Sequence, residues 1–139
     1  MDAFEIEDMF GRRERSGGAY LEFIRVPGMS VGVYHLPAGS IDPQSPHGED
    51  EVYHVIQGRA SIRVGDEDRA VRAGTVVFVA ARVPHAFHSI EEDLDVLVVF
   101  APAEGTTGPR TGARRRGPRL RGGQRPARSR AGSRPRPRA

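Results

Sequence analysis

The chain contains no cysteine, no tryptophan and no lysine. Without cysteine there is no disulfide, no thiolate metal site and no cysteine nucleophile. Without lysine, all 21 basic residues are arginine, a bias that reads as high-GC coding and not as chemistry. No apolar run approaches the roughly 18 residues of a membrane span, so no membrane partner is expected. The opening MDAFEIEDMF is acidic and lacks the basic start of a secretory signal. The expected compartment is therefore the cytoplasm.

What is present falls into unequal parts. The 139 residues suffice for one domain. The net charge of +3 conceals nine arginines against eighteen acids before Pro109, and twelve arginines against none after it. Three segments are expected: residues 1–18 with a short helix, 19–104 as the folded domain, and 105–139 as a disordered Arg/Gly/Pro-rich tail. The tail has one large apolar residue, Leu120, and cannot bury enough surface to offset its ordering entropy. It reads either as a nucleic-acid arm or as a passive extension, including a non-native one from read-through in a shifted frame. It lacks aromatic residues to stack on bases, which favours weak, non-specific, salt-sensitive binding at most.

All nine aromatic residues lie before Pro109. Phe4, Ile6, Met9 and Phe10 have helical spacing, and Gly17-Gly18 should end that helix. Eight short runs rich in Val, Ile, Phe and Tyr follow: YLEFIRV, SVGVYHL, EVYHVIQ, ASIRV, RAVRA, TVVFVA, HAFHSI and LDVLVVFA. Gly- and Pro-containing turn signals separate them, Gly58 among these. Short strands at close, regular spacing predict an all-β sandwich or barrel. TVVFVA is apolar on both faces, as in a strand packed between layers. Tyr53, Phe78, Phe87 and Phe100 are expected in the core.

The stretch DPQSPHGEDEVYHVIQG places a histidine and three acids at the mouth of a strand. Charge there is costly unless something neutralises it. His47 and Glu51 are four residues apart, and His85 follows a glycine-led strand and Pro84. Two imidazoles and one carboxylate form a known ligand set for a divalent metal with open positions: Fe, Mn, Ni, Co or Zn. Strand alternation puts Tyr53, Val55 and Gln57 on the face of Glu51, and Phe87 and Ser89 on that of His85. His54 and His88 then face away. His35 is expected to be packed, and Asp42 and Gln44 to orient the loop. Glu49 and Asp50 are expected either in solvent or supporting the ligands. Tyr53 and Gln44 are the polar groups expected nearest the metal, and so the candidates for a catalytic role.

The wider pattern resembles the cupin superfamily, in particular small single-domain bacterial cupins. Its first motif runs glycine, five residues, His-x-His, three or four residues, Glu, six residues, glycine. Here Gly39, Ser45, His47, Glu51 and Gly58 fill those positions. Its second motif begins at Gly74 and places His85 on the ligand position, with Ala80, Arg82 and Ser89 where the family has Pro, Gly and Asn. The resemblance covers roughly residues 20–102. It implies an antiparallel jelly-roll barrel (a double-stranded β-helix), one divalent metal on His47, Glu51 and His85, a small-molecule ligand and a homodimer. Ser45 stands where a fourth ligand histidine would be, so Ser45 or Gln44 would supply at most a weak ligand. The implied functions are a mononuclear-metal enzyme, such as an oxygenase or isomerase, or a non-catalytic metal- or ligand-binding cupin.

Overall fold

Eight strand-like runs become six strands, because two of the breaks between them are bends and not turns. In the computed structural model, which describes residues 1–106, EVYHVIQ and ASIRV join into one strand, β3 (Asp50–Val64). HAFHSI and LDVLVVFA join into β6 (His85–Ala101). The others are β1 (Tyr20–Val26), β2 (Met29–Leu36), β4 (Glu67–Arg72) and β5 (Val76–Val79). The expected Arg-rich tail lies outside the described residues from 107 onward.

All pairings are antiparallel, in the order β1-β2-β6-β3-β4, with β5 also on β3. β3 and β6 run together along their length with register shifts between Val55 and Arg59 and again before Ser61. Gly58, with φ of +98°, sits inside this irregular stretch. It was expected to be a turn; it is a bulge that bends the strand. The bend lets β3 serve two partners. Residues 51–54 pair with β5, and residues 59–64 pair with β4. The all-β reading holds.

Alternation then sorts the side chains. Tyr34 and Leu36 of β2, Tyr53 and Val55 of β3, and Phe87, Leu94, Val96, Val98 and Phe100 of β6 form one buried cluster. Each large apolar side chain buried this way contributes roughly 1.5–3 kcal/mol. The expectation for TVVFVA fails. Val76 and Phe78 are 60% and 62% exposed, and only Val79 of β5 is buried. β5 is short and pairs with β3 alone, and among the described residues nothing covers its second face. Phe78 is not a core residue.

The helix expected near the N-terminus is present as α1 (Ile6–Ser16). Gly17 ends it in the left-handed region, with its N–H donating to the Glu14 carbonyl at 3.1 Å. Met9 is the buried residue of α1, and Phe4 packs edge-on against Phe23 of β1 at 5.1 Å. No helix among the described residues is long and apolar enough to cross a membrane.

Candidate metal centre

The bent pairing of β3 with β6 and β5 gathers three side chains at one end of the interior. Glu51 is the second residue of β3, opposite Phe100 on β6 and Val79 on β5. His85 opens β6, and His47 lies on the loop that enters β3. One ligand atom from each of His47, Glu51 and His85 can be chosen so that all lie within 4.8 Å of one another. Two hydrogen bonds, one of them to a side chain, hold the loops together. Arg82 N–H donates to the His47 carbonyl at 2.5 Å, and Ala81 N–H donates to Asp50 Oδ1 at 2.9 Å.

The ligand atoms have no hydrogen-bond partner of their own. His47 Nε2, both carboxylate oxygens of Glu51 and His85 Nε2 are all buried and unpartnered. His85 Nε2 is 2.8 Å from Glu51 Oε2, but not aligned as a hydrogen bond. His85 Nδ1 lies 2.8 Å from the Val83 carbonyl. With the proton on Nδ1, it donates there and leaves Nε2 bare to face the other ligands, as a metal-ligating histidine requires. Burial pulls the His85 pKa down. The Glu51 carboxylate, the Val83 carbonyl and the charge of Asp42 together outweigh it, and the net shift is upward. Buried polar atoms are costly when unpaired. A divalent cation would satisfy all four atoms at once, so these residues fit the group.

Asp42 is the organising residue of the loop, beyond the orienting part expected of it. It is buried. Its carboxylate accepts from Tyr34 O–H at 2.8 Å, from Gln44 N–H at 3.2 Å and from Phe87 N–H at 2.9 Å. Tyr53 O–H donates to Gln44 Oε1 at 2.6 Å, so these two candidates are bonded to each other. Ser45 is exposed. His54 lies on the outer face, His88 pairs with Asp68, and His35 pairs with Asp95 at 2.6 Å, all away from the ligand cluster. The strand-parity argument therefore separates the histidines as they stand in the fold. Glu49 is buried and Asp50 is exposed.

The departures from the second cupin motif have a backbone meaning. Arg82 and Ser89 are the two non-glycine residues with positive φ among the described residues, at +67° and +51°. They occupy the family's glycine and asparagine positions, and those are the residue types that tolerate this region best.

Two residues near the site have no motif to announce them. One is Tyr20. The other is Glu104, whose N–H donates to Ser30 Oγ at 2.9 Å and whose carbonyl accepts from Arg25 at 3.0 Å. Burial raises the Glu104 pKa; His47 opposes the shift, and Glu22, Glu51 and Glu49 reinforce it. A carboxyl raised above its unfolded value favours the fold fully below the unfolded glutamate range. That contribution is lost as pH rises through the folded pKa. In the metal-stripped chain, Glu104→Gln should raise Tm by a few degrees at pH 8, with the gain shrinking toward pH 4. An equal gain at both pH values would show that charge is not its source.

Two surface grooves lie elsewhere among the described residues. One of about 590 Å³ runs between α1 and the sheet, and one of about 550 Å³ runs along β3 and β4. Their linings include none of the three ligand residues. Chemistry, not cleft size, marks the centre.

Comparison with known proteins agrees with the fold. The cupin domain family matches residues 32–100. An uncharacterised protein of Streptomyces coelicolor is 53% identical over 104 residues, covering 75% of this chain and 99% of that protein. Among solved structures, the Thermus thermophilus protein TT1209 superposes with a TM-score of 0.62 at 24% identity, over 74% of this chain and 99% of its own. KdgF from Halomonas gives a TM-score of 0.55 at 19% identity, over 60% of this chain and 76% of its own. The DMSP lyase DddQ from Ruegeria pomeroyi gives 0.52 at 26% identity over 55% of this chain, which spans only 39% of that lyase. By sequence kinship, by motif order and by fold, the chain belongs to the cupin family.

Proposed function

We propose that this chain is a small mononuclear-metal cupin acting on a small organic molecule, in the cytoplasm, through one divalent ion on His47, Glu51 and His85. The observation that carries this reading is the set of four buried ligand atoms with no other partner. A bound ion would act as a Lewis acid on a carbonyl or enol oxygen, or bring substrate and dioxygen together. The protein's own part is to hold the ligands rigidly. Asp42 fixes the loop, Val83 orients His85, and the linked loops keep His47 facing Glu51. With Ser45 exposed, three protein ligands leave open positions for a small oxygen-bearing molecule. DddQ, which this chain resembles in fold, is named a lyase, so elimination belongs among the reactions to test.

A second reading is a non-catalytic binder. It is favoured by the Tyr53–Gln44 hydrogen bond, which ties up the two polar groups otherwise placed to serve as acid or base. The full chain should be reconstituted with Fe, Mn, Ni, Co or Zn, and its metal content measured. It should then be assayed for oxygen uptake, isomerisation and elimination on small oxo- and hydroxy-acids. Stoichiometric metal with turnover supports the enzyme. Stoichiometric metal with no turnover by any of the five supports the binder. No metal uptake removes the enzyme and the metal binder, and leaves only a cupin that binds its ligand without a metal.

The exposed face of β5 supports a homodimer. Val76 and Phe78 lie beside half-buried Val52, His54 and Ile56 of β3, giving an apolar outer surface. A two-fold contact would cover both copies of this surface with the same residues. Light scattering of the full chain at micromolar concentration should give a dimer, and Phe78→Arg should give a monomer that keeps its metal. A monomeric wild type would contradict the assembly. For the tail no activity is proposed beyond weak polyanion binding that collapses with salt. The Streptomyces relative matches over nearly its whole length, yet a quarter of this chain has no counterpart in it.

A further inference from the structure

Three tyrosines point their rings into the interior, and one of them has a hydroxyl with nothing to bond. Tyr34 O–H donates to Asp42, and Tyr53 O–H donates to Gln44. The Tyr20 hydroxyl is buried without a partner. Six buried side-chain atoms share that condition among the described residues. Four are the ligand atoms of the metal centre, one is Arg13 Nε on α1, and the last is Tyr20 Oη.

The placement of Tyr20 is built into the strands. It pairs in register with Tyr34, so both face the same side of the sheet. Its ring stands edge-on to Tyr34 and Phe100, at 6.3 and 6.4 Å. Phe100 in turn lies edge-on to the His47 ring at 5.2 Å. The phenol end lies across Gly32. A Cβ at position 32 would stand 2.3 Å from both the Tyr20 hydroxyl and the carbon that bears it. Gly32 is opposite Val98, which is opposite Tyr53. The missing side chain at 32 is thus what admits the phenol to the row of strands that carries the centre. The hydroxyl feels Glu104, Glu22 and Glu51 and is buried, both of which keep it protonated and therefore a donor.

We propose that Tyr20 is a positioning residue, whose O–H donates to an oxygen of the small molecule held at the ion. The inference rests on the metal-centre reading above. It narrows the ligand to one that presents two acceptor features: an oxygen to the ion and an oxygen to a neutral phenol. A carboxylate beside a second carboxylate, carbonyl or enolate oxygen has this chemistry. A buried hydroxyl left unpaired costs free energy that a ligand acceptor recovers on binding.

Oxalate is the probe. The full chain is loaded with Co(II), its metal content measured, and oxalate titrated by calorimetry and by the visible Co(II) bands. Tyr20→Phe removes only the hydroxyl. It should keep its cobalt, and its Tm without oxalate should hold or rise because an unpaired buried hydroxyl is gone, while oxalate weakens about tenfold, the loss of one hydrogen bond. Gly32→Ala keeps the phenol and displaces it, and should weaken oxalate similarly. This second variant decides the matter should Tyr20→Phe not fold. Unchanged oxalate affinity in both variants, with cobalt bound, overturns this proposal alone. Loss of cobalt in step with oxalate overturns it also, since Tyr20 would then serve the ligand frame. A wild type that takes no cobalt overturns the metal reading and this one with it.

Discussion

Metal content should fall from about one ion per chain to below about a tenth of that in His85→Ala, and equally far in His47→Ala and Glu51→Gln. Losing even an outer hydrogen-bonding partner of a metal ligand commonly costs about 10–100-fold in affinity, and here one of three direct ligands is lost. Plasma emission on dialysed full chain gives the measurement. His54→Ala and His88→Ala are the controls, because these side chains face away from the ligand cluster. Equal losses in all five variants would show that any damaged histidine loosens the fold, and the centre would lose its support.

Proton and ion are alternatives for the same gap. In the metal-free chain His85 Nε2 lies 2.8 Å from Glu51 Oε2, so a second proton taken up by this ring would face the carboxylate. Burial opposes that proton, but Glu51 and the Val83 carbonyl hold the pKa above its ordinary value. A histidine raised in this way stabilises the fold fully below its unfolded pKa of about 6.5, and the contribution disappears as pH rises through the folded pKa. A metal needs the neutral ring. Affinity should therefore drop as pH falls through the raised His85 pKa, in the range where the metal-free chain gains its proton-held pair.

The candidate cluster was legible because metal ligands are confined to few residue types at recognisable spacing. His47, Glu51 and His85 stand beside strand patterns whose alternation says which neighbours face inward, and Tyr53, Phe87 and Phe100 obey it. Phe78 does not. Its run is apolar on both faces, and nothing in the pattern says whether the second face meets another layer or another chain. Tyr20 and Glu104 were missed for a different reason. They lie on the first strand and just beyond the last one, and only the antiparallel register across β1, β2 and β6 brings them to the centre. Gly58 was recognised as part of a motif and misread as a turn. A glycine between two apolar runs signals a backbone no other residue adopts easily, and it does so equally for a turn and for a bend.

That difference can be measured. Gly58→Ala should cost about 2–6 kcal/mol, from roughly 1–3 for the strained backbone and roughly 1–3 for the overpacking. The φ of +98° is one that L side chains rarely adopt, and the new Cβ would stand 2.2 Å from the Asp93 carbonyl oxygen. It would also stand 2.9 Å from the Asp93 carbonyl carbon and the Leu94 Cα. All three are backbone atoms of the paired strand, so no side chain can swing aside. Leu94 lies fully buried in the core cluster, and pushing its backbone away opens the packing that β3 and β6 share. Gly74 is the comparison: its φ is +92°, but nothing lies within 4 Å of an added Cβ. Gly74→Ala should therefore show the strain alone, about 1–3 kcal/mol. Urea unfolding of the metal-free full chain reads both as midpoint shifts at constant slope. A clear excess at Gly58 assigns the motif glycine to the close crossing of the two long strands. Equal losses would mean that backbone conformation alone sets the requirement, and that the bend could be built without such close contact. If the excess is found, metal should be lost with it, because Glu51 and His85 ride on the two strands that this bulge holds together.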